Sequence, residues 1–585
     1  MAQINNEEYR QGRARNAFLH ELRRAGMLDQ KPWSLFVGFM RHRPIWYSQP
    51  GGVLVTAGAR AGKLRDLLAY NICHGVCSAL SMLILDPKGE LAAISQDQTP
   101  DRKFVIRWNP AGLHGLSGCR FNPVSNLNLR NPNLVSDTKA FCENLVVETG
   151  SATGQFFESR ARDYMEAIIL ALVERDGVLT LPALYAALNQ LVAGGKAWLK
   201  GVGFDLADSQ FEQARRVEAE IHQAHSGTDG GGFRGITGEL MKAIAPLSDP
   251  RLMASVSPPF DFDLADLTRD DQAYQVYLMV PAEYLKAWGG VIKTALVNAM
   301  LYKARAPQAP RQVWILDEAA QACQGFPLLT QLFTYGAGIG ITPVAVFQSS
   351  DQLKLVSPGA ETIIPASAQL KIYFALRELG SATQVSRMMG RQSLRYDDTL
   401  QQSRATHARK QAFWDIMNGA DPVEAGMRAG QQARAEAHRS LQSRDLMMPS
   451  EVLGLPGDKM LLFVDGVANV ILADRRPYWS VPWMAGRFHP NPYHPPLDRL
   501  QVKTLWGMRR RWVIEEAVPQ EFAHYPQYAS GLWSRISKKR PKPCPRSSPS
   551  PAASPIFPER ASLPAPEPVK RLPPPGPLDR PMKKL

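Results

Sequence analysis

Cysteine is scarce. Six thiols occur in 585 residues, at positions 73, 77, 119, 142, 323 and 544, and their spacing fits neither a disulfide framework nor a zinc site. A disulfide-stapled secreted scaffold and a zinc-finger module are thereby excluded, and a reducing cytoplasm is the expected setting. Long apolar runs are also missing. The opening "MAQINNEEYRQGRARNAFLHEL" has no apolar core, so no secretory signal is expected. Residues 319–350 carry no charge, but four glutamines, Pro327, Pro343 and "YGAGIG" interrupt them. A bilayer helix needs about 20 predominantly apolar residues, so no transmembrane segment is expected. Acidic charge is the third shortage: 68 Lys and Arg stand against 54 Asp and Glu, a net +14.

That excess is unevenly spread. Residues 535–585 hold 12 Lys/Arg and 3 Asp/Glu, or +9, which leaves +5 for everything before them. Fifteen prolines lie between Pro541 and Leu585, among Ser and Ala, with too few apolar groups to offset chain entropy. Residues 535–585 are therefore expected to be a disordered, basic, Pro-rich tail. It is a solvated spacer or a tether for nucleic acid, an acidic partner or anionic lipid.

Upstream, the pattern alternates. "VLVTA" (53–57), "SMLILD" (81–86), "KFVIRW" (103–108), "YQVYLMV" (274–280), "QVWILDE" (312–318), "ITPVAVF" (341–347), "LKIYFAL" (370–376) and "KMLLFVDG" (459–466) have the length of buried strands. Helical stretches such as 156–176 and 287–305 separate most of them. Apolar runs alternating with helical periodicity predict an α/β fold with a mainly parallel sheet covered by helices. The strand pattern lapses between about 179 and 260, which predicts an inserted all-α domain. The expected organisation is an N-terminal helical segment (1–50), a first sheet part (51–178), the insert (179–260), a second sheet part (261–496), a C-terminal extension (497–534) and the tail. Residues 390–445, polar and rich in Arg and Gln, read as helical.

One strand is followed by a near-complete phosphate loop. The eight residues Ala57, Gly58, Ala59, Arg60, Ala61, Gly62, Lys63 and Leu64 match the order glycine, four residues, Gly-Lys, hydroxyl, except that Ala57 replaces the first glycine and Leu64 the hydroxyl. A second half of the site is supplied by "QVWILDEAAQ", whose strand delivers Asp317 and Glu318 at its C-terminal end, where ligands of open α/β sheets bind. In such sites the first acid holds Mg²⁺ and the second polarises the attacking water. Gln348, ending "VAVFQ", is placed to sense a γ-phosphate or water.

Taken with "ARNAFLHELRRAGML", "LDPKGEL", "CRFNPVSNLN", "FFESRARDYMEAIILAL", "YLMVPAEYLKAWGGVI", "FQSSDQL" and "SRDLMMPSEVLGLPGDKMLLFVDG", these pieces resemble the type IV secretion coupling proteins, the TraG/TraD-like ATPases of bacterial conjugation. The match runs in order from about residue 11 to 496. The resemblance implies a RecA-like P-loop NTPase domain with an inserted all-α domain, six subunits around a channel, and ATP with Mg²⁺ as ligands. It implies that ATP drives recruitment of a relaxase with its single-stranded DNA, or of effector proteins, to the secretion channel. By position, Gly62 and Lys63 bind phosphates, Asp317 the magnesium, Glu318 the water, and Gln348 the sensor role. Asp86, Lys88 and Glu90 match the family's loop after the second strand.

Three departures qualify this. Leu64 offers no oxygen to magnesium. In "YGAGIGI" Ala337 stands where family members carry an arginine, a contact worth about 10³–10⁵ in rate in other phosphoryl-transfer systems; Arg60 and Arg377 are the candidate replacements. The family's membrane helices are not seen, so a cytoplasmic protein held peripherally at the inner face of the bacterial plasma membrane is expected. The readings left open are an ATP-driven coupling protein, a non-hydrolysing receptor subunit, and a soluble DNA-pumping ATPase.

Overall fold

All eight expected apolar runs are strands in the computed structural model, which describes residues 12–73, 77, 79–95, 103–146, 152–226, 230–396 and 440–484, scattered residues of 403–427 and parts of 487–537. In chain order the strands are β1 (Leu35–Met40), β2 (Arg43–Tyr47), β3 (Val53–Ala57), β4 (Ser81–Asp86), β5 (Lys103–Trp108), β6 (Ala273–Met279), β7 (Gln312–Leu316), β8 (Ile341–Phe347), β9 (Leu370–Phe374), β10 (Arg391–Tyr396), β11 (Ser440–Asp445), β12 (Lys459–Val464), β13 (Ile471–Asp474), β14 (Arg499–Thr504), β15 (Gly507–Ala517) and β16 (Leu532–Ser537). Eleven form one sheet in the order β2-β1-β13-β12-β9-β3-β8-β7-β4-β6-β5. From β9 to β5 every pairing is parallel, and from β2 to β9 every pairing is antiparallel. The mainly parallel sheet with helices on its faces is the expected α/β class.

Burial on both faces explains why the central strands read as continuous apolar runs rather than as alternating ones. Val53, Val55, Met82, Ile84, Val313, Ile315, Val344 and Val346 enter one core, while Leu54, Leu83, Leu85, Trp314, Leu316, Ala345 and Phe347 enter the other. The period of two thus survives as a partition between two cores. At the β5 edge the pattern breaks, and Phe104 is 57% exposed.

The connection from β5 to β6 is helical. It carries Leu134–Leu145, Ala152–Asp176, Leu181–Ala193, Gly195–Lys200, Val202–Asp208, Glu212–Ser226, Gly230–Ile244 and Pro250–Ser255. This helical block begins upstream of residue 179, the start expected for the insert, because Met165 to Val173 of the long helix bury into the same core as Leu184, Leu188, Val217 and Leu240. A sharp joint follows that helix. Gly177 takes φ +80°, and Thr180 caps the next helix by accepting from the Ala183 amide at 3.3 Å, with Pro182 in its first turn.

Three expectations need correction. Among its described residues the supposedly helical segment 1–50 has only one helix, Leu19–Arg24; β1 and β2 instead form an antiparallel hairpin on the sheet edge. Phe36, Ile45, Trp46 and Tyr47 are buried there, and β13 lends β1 its free edge. The ends of the polar stretch 390–445 are not helical but are β10 and β11, paired in register from Arg391↔Asp445 to Tyr396↔Ser440; the scattered described residues between them, such as Thr406, His407, Lys410 and Gln411, are helical as expected, and the rest lie outside the described ones. Finally, β14–β16 form a separate antiparallel sheet, so Leu532–Ser537 crosses the boundary at 535 where the tail was expected to begin. The remainder of the expected disordered tail, 538–585, lies outside the described residues. No helix among the described residues is long and apolar enough to cross a membrane; the charge-free stretch 319–350 holds two helices, Ala319–Ala322 and Pro327–Ile339, and β8.

Candidate nucleotide-binding site

β3 delivers its chain into a tight loop. Gly58 is required by proximity: a Cβ there would lie 2.4 Å from the Ala375 carbonyl oxygen, a backbone atom that cannot step aside. Gly62 is required by conformation, with φ +84°. Between them the Ala61 amide donates back to the Gly58 carbonyl at 3.2 Å, while Arg60 sits exposed at φ +57°. Ala57 is buried at the strand end and Ala59 is exposed. The helix that starts after Lys63 opens with a π-turn, Leu64–Leu68, closed by the Ala69 amide on the Leu64 carbonyl, and continues as Ala69–Ile72. Such wide turns recur at functional sites. Leu64, in the hydroxyl's place, packs against the buried apolar core.

Strand order brings the second half of the site to this loop. β8 lies between β3 and β7, so the ends of β3 and β7 are about 10 Å apart, a gap that a lysine and a glutamate span together. The Lys63 ammonium lies 2.9 Å from Glu318 Oε1 and 3.7 Å from Asp317 Oδ1. The other oxygen of Glu318 accepts from Gln348 Nε2 at 2.8 Å, and Gln348 directly follows the intervening strand. Glu318 adopts the left-handed conformation (φ +50°), a cost of order 1–3 kcal/mol for a residue with a side chain, of the kind that clusters at functional sites. Its amide donates to Asp317 Oδ1 at 3.0 Å.

Electrostatics at this edge are strained. Burial pushes the Asp317 carboxyl above its usual range, Lys63 pulls it down and Glu318 pushes it up again. On the neighbouring strand, in register Leu85↔Leu316, Asp86 flanks Asp317. Burial raises the Asp86 carboxyl to about 7, the Ala92 amide opposes the rise, and Asp317 and Glu90 add to it. The Ala92 amide donates to Asp86 Oδ2 at 2.8 Å. The Lys63 ammonium thus faces two carboxylates with the Asp86 carboxyl beside them, and Lys88 also pulls the Asp317 carboxyl down.

Phosphate oxygens would engage the ammonium, and a hard divalent cation would engage the carboxylate oxygens. The residues present therefore fit a nucleotide with Mg²⁺.

The remaining sequence candidates divide by edge of the sheet. Arg377 is exposed just beyond β9, its Cγ 3.6 Å from where a Gly58 Cβ would stand, so it shares the edge with the loop. Ala337 is in the last turn of Pro327–Ile339, just before β8 begins, whereas Gln348 follows the end of that strand. Seven residues of strand, about 23 Å, separate the two edges, so position 337 does not reach this chain's own loop.

Sequence reasoning missed Arg475. It emerges from β13 more than 400 positions from the loop, and its Nη1 donates to the Ala61 carbonyl at 2.7 Å. No motif surrounds it; only the strand order could have pointed to it.

A sheet of RecA-like class, with a lysine loop on one strand and an acid pair two strands away, defines the fold and the site. The family model for type IV secretory system conjugative DNA transfer matches residues 21–491, and the chain belongs to that family. Among curated proteins it is similar to the conjugal transfer protein TraG of Rhizobium radiobacter, 23% identical over 399 residues, which span 66% of this chain and 56% of that protein. Among solved structures it is similar to the bacterial conjugative coupling protein TrwBdeltaN70, at 15% identity, covering 81% of this chain and 96% of that one with a TM-score of 0.55. The plasmid coupling protein TrwB in complex with ADP and Mg²⁺ gives 15% identity, 79% and 94% coverage, and a TM-score of 0.53. These likenesses show the fold.

Proposed function

We propose that the protein is the ATP-binding coupling protein of a conjugative type IV secretion system, recruiting relaxase-bound single-stranded DNA or a protein substrate and helping to move it into the channel. The observation that carries this reading is the Lys63 ammonium set between Glu318 and Asp317, with Gln348 holding the far oxygen of Glu318. Family membership supports the conjugative role. Assembly as a six-membered ring, ATP and Mg²⁺ as ligands, and a peripheral position at the inner membrane face belong to the same reading.

The chain's own groups divide the work. Lys63 and the loop amides from Gly58 to Leu64 bind the phosphates; Lys63 releases Glu318 as it does so. Asp317 is the oxygen donor for magnesium, which when bound neutralises phosphate charge. Glu318, freed from the ammonium but still held by Gln348, accepts a proton from the attacking water. Gln348 couples that base to the end of β8.

A second reading, a receptor that binds nucleotide without turning it over, is favoured by one observation: the half-buried Leu64 packs against the apolar core at the position where a hydroxyl would face magnesium. Two measurements separate the readings. ATP binding by wild type and its loss in Lys63→Ala test the site; equal affinity in both removes it. Turnover that rises with protein concentration and single-stranded DNA supports the motor, and binding without turnover supports the receptor.

A further inference from the structure

The phosphate loop is gripped from behind by a side chain from the antiparallel half of the sheet. Arg475, directly after β13, is 6% exposed. Its Nη1 donates to the Ala61 carbonyl at 2.7 Å and lies 3.4 Å from Asp66 Oδ2. Its Nη2 donates to the Gly457 carbonyl, and its guanidinium carbon stands 4.2 Å from the centroid of the Phe374 ring. The Arg475 amide donates to the Asp458 carbonyl at 2.7 Å, which fixes the backbone end as well. One planar cation thus touches the loop, the turn behind it and the last residue of β9.

We propose that Arg475 is a positioning residue for nucleoside triphosphate binding: by holding the Ala61 carbonyl it orients the peptide plane whose opposite side presents the Gly62 amide to the phosphates. This rests on the nucleotide-binding reading above. A trans peptide is planar, so the Ala61 carbonyl and the Gly62 amide point in opposite directions, and fixing one fixes the other. The tether is needed because Gly62, at φ +84°, has no Cβ to restrict the swing of that plane.

Arginine suits the place better than lysine. Its fork reaches the carbonyls of Ala61 and Gly457 together while its flat face lies on Phe374. Asp66 attracts it from 3.4 Å, and the same carboxylate takes Arg65 Nε at 2.6 Å and Nη2 at 2.8 Å, so one carboxylate serves two guanidiniums. Nucleotide affinity then depends on β12 and β13, strands that carry none of the loop or acid residues.

The test uses the full chain, the fluorescent probe mant-ATP with Mg²⁺, and two variants. Arg475→Lys keeps the charge beside Asp66 but not the fork, and its mant-ATP Kd should rise about tenfold or more with a melting temperature near that of wild type. Arg475→Met, which loses the charge too, should bind more weakly still. In hydrogen–deuterium exchange of the wild type, nucleotide should protect residues 61–66 and, with them, 457–459 and 474–476. Variants that bind within twofold of wild type per folded molecule, even with lowered melting temperature, overturn the proposal. If the variants fail to fold, exchange decides: protection at 61–66 without protection at 457–459 and 474–476 overturns it. A wild type that binds no mant-ATP removes the nucleotide reading and this inference together, whereas a binding wild type with equally binding variants removes only the inference.

Discussion

Asp86→Asn should make the protein more stable at pH 8 and keep only about a quarter of that gain near pH 4.5. Asp86 is 2% exposed at the end of β4, flanks Asp317, and has its carboxyl pushed up to about 7 chiefly by burial. In the unfolded chain the same group titrates at the usual 3.8. The folded state therefore holds this proton more tightly than the unfolded state. That contribution to stability is complete below pH about 4 and is lost as the pH rises from about 4 to about 7. About three pH units at 1.36 kcal/mol each put the cost of the buried ionised carboxylate at about 4 kcal/mol above pH 7.

Asparagine cannot ionise, and its carbonyl oxygen can still accept from the Ala92 amide. Melting curves of wild type and variant, taken without nucleotide and with chelator from pH 4.5 to 8, check this. Spread over the unfolding entropy of a 585-residue chain, that cost should make the variant melt about 3 °C higher at pH 8, and the two curves should converge toward pH 4.5. Parallel curves, or a variant destabilised equally at both ends, would refute the account of Asp86 as a carboxyl held against its own ionisation.

Further outcomes follow from the same geometry. Glu318→Gln keeps the shape of the site and the contact with Gln348 while removing the base, so ATP binding should persist and turnover should fall about 10²–10⁴-fold; unchanged turnover in a steady-state assay assigns the base elsewhere. Lys303, fully buried, closes the helix Gly289–Arg305 by donating to the carbonyls of Ala306 and Ala309, each at 3.0 Å. Lys303→Met keeps the stem and loses these charge-assisted bonds, so unfolding in urea should show a loss of about 3 kcal/mol, and an unchanged midpoint would contradict it.

Much of the parallel sheet was legible because its evidence is local. A run such as "SMLILD" or "ITPVAVF", apolar on both faces, has few alternatives to a central strand, and glycine, lysine and paired acids at strand ends announce themselves by spacing. The N-terminal hairpin was not legible. "LFVGFM" and "RPIWY" are as compatible with short helices as with strands until β13 supplies an edge. The β10–β11 ladder joins residues about 50 positions apart, and nothing in either segment alone names its partner.

The amino-acid order by itself determined eight of the strands, β3 to β9 and β12, the loop around Lys63, the acids at 317 and 318, and the apolar residue that replaces the hydroxyl. Only the tertiary structure decided that Glu318 would meet Lys63, that Asp86 would stand beside Asp317, that Arg475 would hold the loop from behind, and that Ala337 would lie at the other edge of the sheet. Periodicity and turn chemistry act over a few residues, whereas the charges and carbonyls that complete this site are neighbours only through strand order. That order comes from burying every strand at once, not from any single one.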